Sequence, residues 1–231
     1  MIRALLTDLD DTLYDYAPCE AKGRAALRER ATAELGLGAQ AFDALYGRAR
    51  ESVKARCPTP SSHSRLLYLH EALHELATGS SGAPRLDLAR VLEGTFWDAY
   101  LSAATLRQGG LELLRWFRAH GGKVAIVTDL TLDVQLRKLQ HFGLMTEIDA
   151  LVASEEVGAD KPAPAAFRLA AERLGIPLSA CAVVGDSQAK DGGGAVALGL
   201  PFFLVRTPDS PQGLTLHDVN VELAKRNAWT L

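Results

Sequence analysis

The chain has 231 residues, 48% of them apolar, and a formal net charge of −3. That length suits one domain with a sizeable insertion or two small domains, and the apolar share is enough for a real core. No stretch approaches the roughly 18 apolar residues of a membrane span, and the slightly acidic balance leaves no electrostatic footprint for nucleic acid. Cys19, Cys57 and Cys181 are odd in number, widely spaced and without paired metal spacing, so reduced thiols in a cytoplasmic protein are expected. The first strand is expected almost at Met1, so no signal peptide is expected.

Ile2 and Ala4, Leu5 and Leu6 form an apolar run long enough for one buried strand and too short for a helix. The run stops at Asp8, and Asp10 and Asp11 follow at once. Three carboxylates in a turn after a buried strand are costly unless a cation or proton sits among them. Mg²⁺ is the obvious cation: it is hard, prefers oxygen, and commonly takes one or two carboxylates plus water and a phosphate. The plain alternative is that Asp10 or Asp11 only caps a helix.

From Pro18 to about Ala104 the sequence reads as helix after helix. Residues 20–35 end at Gly36, a C-cap; 39–56 are broken by Pro58-Thr-Pro60; 64–77 keep an apolar leucine face; and a loop from Gly79 to Pro84 precedes 86–101. From Leu111 the texture alternates. A helix through Leu113 and Phe117 precedes strand 123–128, helix 132–141, a weaker strand at 148–153 and helix 163–174. A buried strand at 181–184, a Gly/Ala-rich helix at 192–198 and a last strand at 202–205 complete the series, with a tail of 216–231 read as a short helix. Strands alternating with helices imply parallel βαβ units. The expected fold is α/β, a doubly wound parallel sheet, with residues 1–14 and 105–231 as the core domain and 15–104 as an inserted all-helical domain.

In such sheets ligands bind beyond the carboxyl ends of the strands, which singles out Asp8, Thr128-Asp129 and Gly185-Asp186-Ser187. Asp8-Leu9-Asp10-Asp11-Thr12-Leu13 resembles the signature of the haloacid dehalogenase-like superfamily, Asp-x-Asp-x-Thr/Val after the first strand. Thr128 resembles its second motif, Lys161 before Pro162 its third, and Gly185-Asp186 with Asp191 its fourth. Taken singly, Thr128 could cap the next helix, Lys161 could be a surface lysine, and Asp186 could cap a turn; the order of all four is the strong signal.

The resemblance implies that Asp8 attacks a phosphoryl group and Asp10 is the general acid/base. It implies that the Thr128 hydroxyl donates to a phosphoryl oxygen and that Lys161 neutralises carboxylate and phosphate together. Leu9, Asp129 and Lys161 are then expected to contact the substrate. Many relatives have Asn where this chain has Asp129, whose carboxylate would be unfavourable if it pointed inward. Mg²⁺ would be held by Asp8, the backbone carbonyl of Asp10 and Asp186, with Asp191 on a metal-bound water or holding Lys161, and Ser187 beside it. The helical insertion resembles the family's cap, which with the segment from Tyr14 to Gly23 would choose the substrate. Arg24, Lys54, His63 and Arg65 are its polar candidates, whereas Phe96, Trp97 and Tyr100 are expected to be cap core.

The leading expectation is a Mg²⁺-dependent phosphohydrolase of a small phosphorylated metabolite, monomeric or homodimeric, with no nucleic-acid or membrane partner. A haloacid dehalogenase shares the fold but lacks the second Asp, so Asp10 argues against it. A phosphomutase would differ only in returning the phosphoryl group. A non-enzymatic phospho-acceptor switch has no use for a large cap. Without a Gly-x-x-x-x-Gly-Lys loop an ATP-driven kinase is disfavoured.

Overall fold

The apolar run that opens the chain becomes the central strand of a parallel sheet. In the computed structural model, which describes residues 1–79 and 83–229, the chain divides into two units, Met1–Asp15 with Thr105–Leu231, and Tyr16–Ala104. The first unit holds β1 (Ala4–Thr7), β2 (Lys123–Thr128), β3 (Ala150–Ala153), β4 (Cys181–Gly185) and β5 (Phe202–Leu204), in the order β3-β2-β1-β4-β5 with every pairing parallel. The central strands β1 and β4 are buried on both faces, which is why they read as unbroken apolar runs rather than alternating ones. Thr7, the last residue of β1, pairs with both Ile126 and Val184, so β2 and β4 end within two residues of it, at Thr128 and Gly185. That register brings Asp8, Thr128 and Asp186 to one edge of the sheet.

Four α-helices of the second unit come first in the chain: α1 (Tyr16–Leu35), α2 (Ala39–Arg56), α3 (Arg65–Gly79) and α4 (Asp87–Ala103). α1 packs on α4 and α2 on α3, around Leu27, Phe42, Tyr46, Leu69, Leu92 and Phe96. Gly23 allows the first contact to be close, because a Cβ there would lie 2.8 Å from the Phe96 ring. The helices of the sheet unit are α5 (Gly110–Ala119), α6 (Leu132–His141), the short α7 (Ser154–Val157), α8 (Ala165–Leu174), α9 (Gly193–Leu198) and α10 (Leu216–Asn227). α8 covers one face, where Phe167 and Leu174 meet Leu6, Val127 and Val183; α5 packs on β2 and on α10.

Several boundaries differ from the sequence expectation. α1 begins earlier, at Tyr16, with Pro18 tolerated in its first turn, where a missing N–H breaks no helical bond. Gly79, expected in a loop, closes α3, and Ser80, Ser81 and Gly82 of that loop lie outside the described residues, as do Thr230 and Leu231 of the tail. The acidic stretch before Lys161 starts as α7 and is stopped by Gly158 at φ 71°. The weaker strand is trimmed to Ala150–Ala153, and the helix expected at 192–198 is preceded by a π-helical turn, Gln188–Gly192. The tail forms a full helix, α10, opened by a reciprocal Thr215–Asp218 capping box and closed by Asn227, whose buried amide bonds both Ile2 N (2.8 Å) and Ile2 O (2.9 Å). Cys19, Cys57 and Cys181 are free thiols, and among the described residues no helix is long and apolar enough to cross a membrane.

Candidate active site

Asp8 leaves β1 as the chain turns. Its N–H donates to Val184 O (2.8 Å), which keeps the turn anchored to β4, and its side chain is 6% exposed. Lys161 Nζ donates to Asp8 Oδ1 (2.5 Å), to Asp191 Oδ1 (2.7 Å) and to Val127 O (3.2 Å). This lysine is itself buried, on the connection between α7 and α8, which Ser154 Oγ steadies by donating to Asp160 (2.7 Å). Thr12 Oγ1 donates to Asp8 Oδ2 (3.0 Å), lies 3.2 Å from Asp186 Oδ1, and accepts the Asp186 N–H (3.1 Å). One hydroxyl therefore links the ends of β1 and β4. Asp11, between these residues, has φ 60°, a left-handed conformation that a short polar side chain tolerates.

Asp8, Asp186 and Asp191 each offer a carboxylate oxygen, and these oxygens lie within 4.8 Å of one another. Among the described residues, Lys161 is the ammonium that donates into this group. Burial pushes Asp8 well above the ordinary carboxylate range; Lys161 opposes the shift, while Asp191, Asp10 and Asp186 add to it. Burial, with Asp191 and Asp11, raises Asp186 to about 6. Burial alone would lower Lys161, but Asp8 and Asp191 outweigh it and hold the ammonium protonated. The cluster thus carries more negative charge than its protein partners neutralise. An all-carboxylate oxygen set with excess charge fits a hard divalent cation such as Mg²⁺.

The Asp10 side chain is directed elsewhere. It accepts from Tyr14 Oη, from Lys138 Nζ (2.6 Å) and from Gln135 Nε2 (3.1 Å). Burial would raise its pKa, but the Lys138 charge and these hydrogen bonds bring it below the ordinary value. Thr128 is buried at the end of β2, and its Oγ1 accepts from Gln135 Nε2 (2.9 Å). The Asp129 carboxylate takes the Lys161 N–H (3.0 Å) and Lys190 Nζ (2.9 Å), so both its oxygens are engaged. Leu9 is wholly buried, backbone included, so the structure does not present it to a ligand, contrary to expectation. Asp191 holds Lys161 directly, whereas Ser187 uses its hydroxyl to accept the Lys190 N–H (3.2 Å), a local turn bond.

The expected residues of all four motifs are thus brought to one edge of the sheet, around Asp8, Lys161 and Asp186. Sequence reasoning missed Gln135 and Lys138, polar residues of α6 that are 0% exposed, and did not single out Tyr14. Of the four polar candidates in the helical unit, Arg24 lies over the Tyr46 ring (4.5 Å). Arg65 is buried against the rings of Phe96 (4.2 Å) and Trp97 (4.7 Å) and pairs with Glu20. Lys54 lies on α2, and His63 ends a short 3₁₀ turn, Pro60–His63. Phe96, Trp97 and Tyr100 are core residues of that unit.

The site is a carboxylate–lysine centre at the carboxyl edge of a parallel α/β sheet, and comparison with known proteins identifies the class as a hydrolase and the family. The profile of the haloacid dehalogenase-like hydrolases matches residues 2–199, and the chain belongs to that family. It is 41% identical over 207 residues to a ribulose-1,5-bisphosphate 5-phosphatase of Halopiger xanaduensis, covering 88% of this chain and 84% of that one. A glyceraldehyde 3-phosphate phosphatase of Methanopyrus kandleri is 32% identical over 208 residues, 89% of this chain and 84% of the relative. In fold, the chain is similar to a 2-haloacid dehalogenase of Pseudomonas syringae pv. Tomato, with TM-score 0.78, 22% identity, and 97% and 99% of the two chains covered.

Proposed function

We propose that this hydrolase is a Mg²⁺-dependent phosphatase of small phosphomonoesters that works through a phosphoaspartate on Asp8. The observation that carries the reading is the Asp8 carboxylate, buried at the end of β1, bonded to Lys161 at 2.5 Å and grouped with Asp186 and Asp191 within 4.8 Å. In the first step an Asp8 oxygen attacks phosphorus, a new O–P bond forms, and the ester P–O bond breaks. Asp10, which Lys138 and its other donors keep ionised, takes up the proton that a monoanionic phosphate ester brings and passes it to the departing alkoxide. In the second step water attacks phosphorus, Asp10 takes its proton, and the bond to Asp8 breaks to release inorganic phosphate and restore the carboxylate.

Lys161 neutralises charge that Asp8 and the phosphoryl oxygens would otherwise share, and Asp191 holds it there. Thr128 Oγ1 accepts from Gln135 Nε2 (2.9 Å) and donates to Asp129 O at a long 3.3 Å, a bond its hydrogen would exchange for one to a phosphoryl oxygen. Asp8, Asp186 and the Asp10 carbonyl would hold Mg²⁺, which when bound supplies positive charge against the nucleophile and phosphoryl oxygens. Asp186, raised to about 6 without a cation, is a group such an ion would ionise. The phosphatase names of the two relatives support a small phosphorylated metabolite as substrate. The second carboxylate of the first motif, Asp10, weighs against a dehalogenase.

Phosphate release from a panel of sugar phosphates, nucleotides, phosphoglycolate and an aryl phosphate tests the reading. Release should require Mg²⁺ and fall by at least about 100-fold in a folded Asp8→Asn variant. Turnover that survives that substitution would remove Asp8 from the nucleophile's role.

A further inference from the structure

Helix α6 carries two polar side chains one turn apart, Gln135 and Lys138, and neither reaches solvent. Lys138 is a fully buried ammonium, a state that folding tolerates only when the charge is paired. Its partner is Asp10 (2.6 Å), 128 positions away, and its ammonium also lies 5.8 Å from the centroid of the Tyr14 ring. Tyr14 Oη donates to the same carboxylate oxygen, while Gln135 Nε2 donates to the other at 3.1 Å.

The orientation of the Gln135 amide is fixed by chemistry. Its Nε2 faces the Asp10 carboxylate, the Asp129 carbonyl (2.6 Å) and Thr128 Oγ1 (2.9 Å), and the first two can only accept. Its Oε1 is left buried without a partner. A fold selected for stability alone would avoid that orphan acceptor. Here it is the consequence of aiming one NH₂ at two of the sequence motifs together. The same rigid helix thus tethers Asp10 and Thr128.

We propose that Tyr14, Gln135 and Lys138 form a positioning set for Asp10, with Lys138 as its principal member. This rests on the reading of Asp10 as general acid/base and goes beyond it in assigning the residues that aim it. The set touches the Asp10 carboxylate. Gln135 also holds Thr128, so the clean probes are Lys138 and Tyr14, whose loss acts on proton transfer to the leaving group more than on substrate affinity. A misaimed acid handicaps esters whose alkoxide needs the proton far more than esters whose leaving group departs unaided.

The test compares the alkyl phosphate most readily hydrolysed in the panel with p-nitrophenyl phosphate, in the full-length chain with Mg²⁺. Wild type, Asp10→Asn, Lys138→Met and the double variant are measured, with folding checked by circular dichroism. In Lys138→Met the alkyl-to-aryl ratio of kcat should fall by about 10- to 100-fold, the scale of a misplaced catalytic group, with KM little changed. Adding Lys138→Met to Asp10→Asn should produce no further loss, because both act through one carboxylate. An unchanged ratio in Lys138→Met, or losses that simply add, would overturn the inference while leaving the Asp10 reading intact. A normal ratio in Asp10→Asn itself would overturn both. Should Lys138→Met fail to fold, Tyr14→Phe, which keeps the ring and removes one bond to Asp10, must show the same selective loss in smaller degree; equal loss on both esters would refute the set.

Discussion

Three carboxylates and one ammonium crowd the end of β1 and β4, and what lets them crowd is a missing side chain. A Cβ on Gly185 would lie 2.3 Å from the Asp191 carboxyl, so only glycine admits Asp191 into contact with Lys161. Gly185→Ala is expected to displace Asp191, release one of the bonds on Lys161 and lower kcat by about tenfold or more, since positioning errors near 1 Å have effects of that order. Steady-state kinetics beside a thermal melt would check it; a folded variant with wild-type kcat would show that the Asp191–Lys161 contact is dispensable. At this scale much of the site was legible, because Asp8, Thr128, Lys161 and Asp186 each directly follow a strand-like run or precede a helix. The direction of each side chain was not. The Asp129 carboxylate is held by the Lys161 N–H and Lys190, and Lys190 is a contact that no local spacing announces.

Among the elements, α6 shows where pattern reading stops. The buried Val134 and Leu139 mark its inward face, and Lys138 and Gln135, each four positions from one of them, lie on that same face; only their polarity argued for solvent. They are buried because their partner comes from a turn 125 or more positions earlier, and helical periodicity carries no information about that. The closing helix α10 gives the converse case. The tail reads only as a short helix, yet a capping box opens it and Asn227 ties it to Ile2, just ahead of β1. Asn227→Ala removes both bonds to Ile2 and leaves two buried backbone groups unpaired. It should lower stability by about 1–3 kcal/mol in urea unfolding, with little effect on KM. A midpoint equal to wild type would mean that α10 is held by its apolar face alone.

For the molecule as a whole, the alternation of strands and helices after Leu111 and the helix-only texture before it carried the architecture. A 3.6-residue period and short β-rich runs are the two patterns a sequence displays most plainly. The Mg²⁺ site proposed for the sheet unit would have a thermodynamic consequence. Because Asp8, Asp186 and Asp191 repel one another in the folded chain and are far apart when it unfolds, Mg²⁺ should bind the native state selectively. At about 100 times its dissociation constant a native-state ligand adds about 2.7 kcal/mol, which for a chain of this size corresponds to a rise of about 5–10 °C in the melting of the sheet unit. Differential scanning calorimetry with Mg²⁺ and with a chelator should show that rise in the wild type and much less of it in Asp186→Ala. Equal shifts in both proteins would place the ion somewhere other than this cluster.

The claim on which the account turns is a covalent phosphoryl group on Asp8. Mixing enzyme, Mg²⁺ and the best phosphomonoester for a few milliseconds, quenching in acid and mapping the peptides by mass spectrometry tests it most directly. The mass of one phosphoryl group is expected on the peptide spanning Ala4 to Lys22, localised to Asp8 by fragmentation and absent from Asp8→Asn. A burst of phosphate release with no modified Asp8, or the phosphoryl group on a different residue, would contradict it.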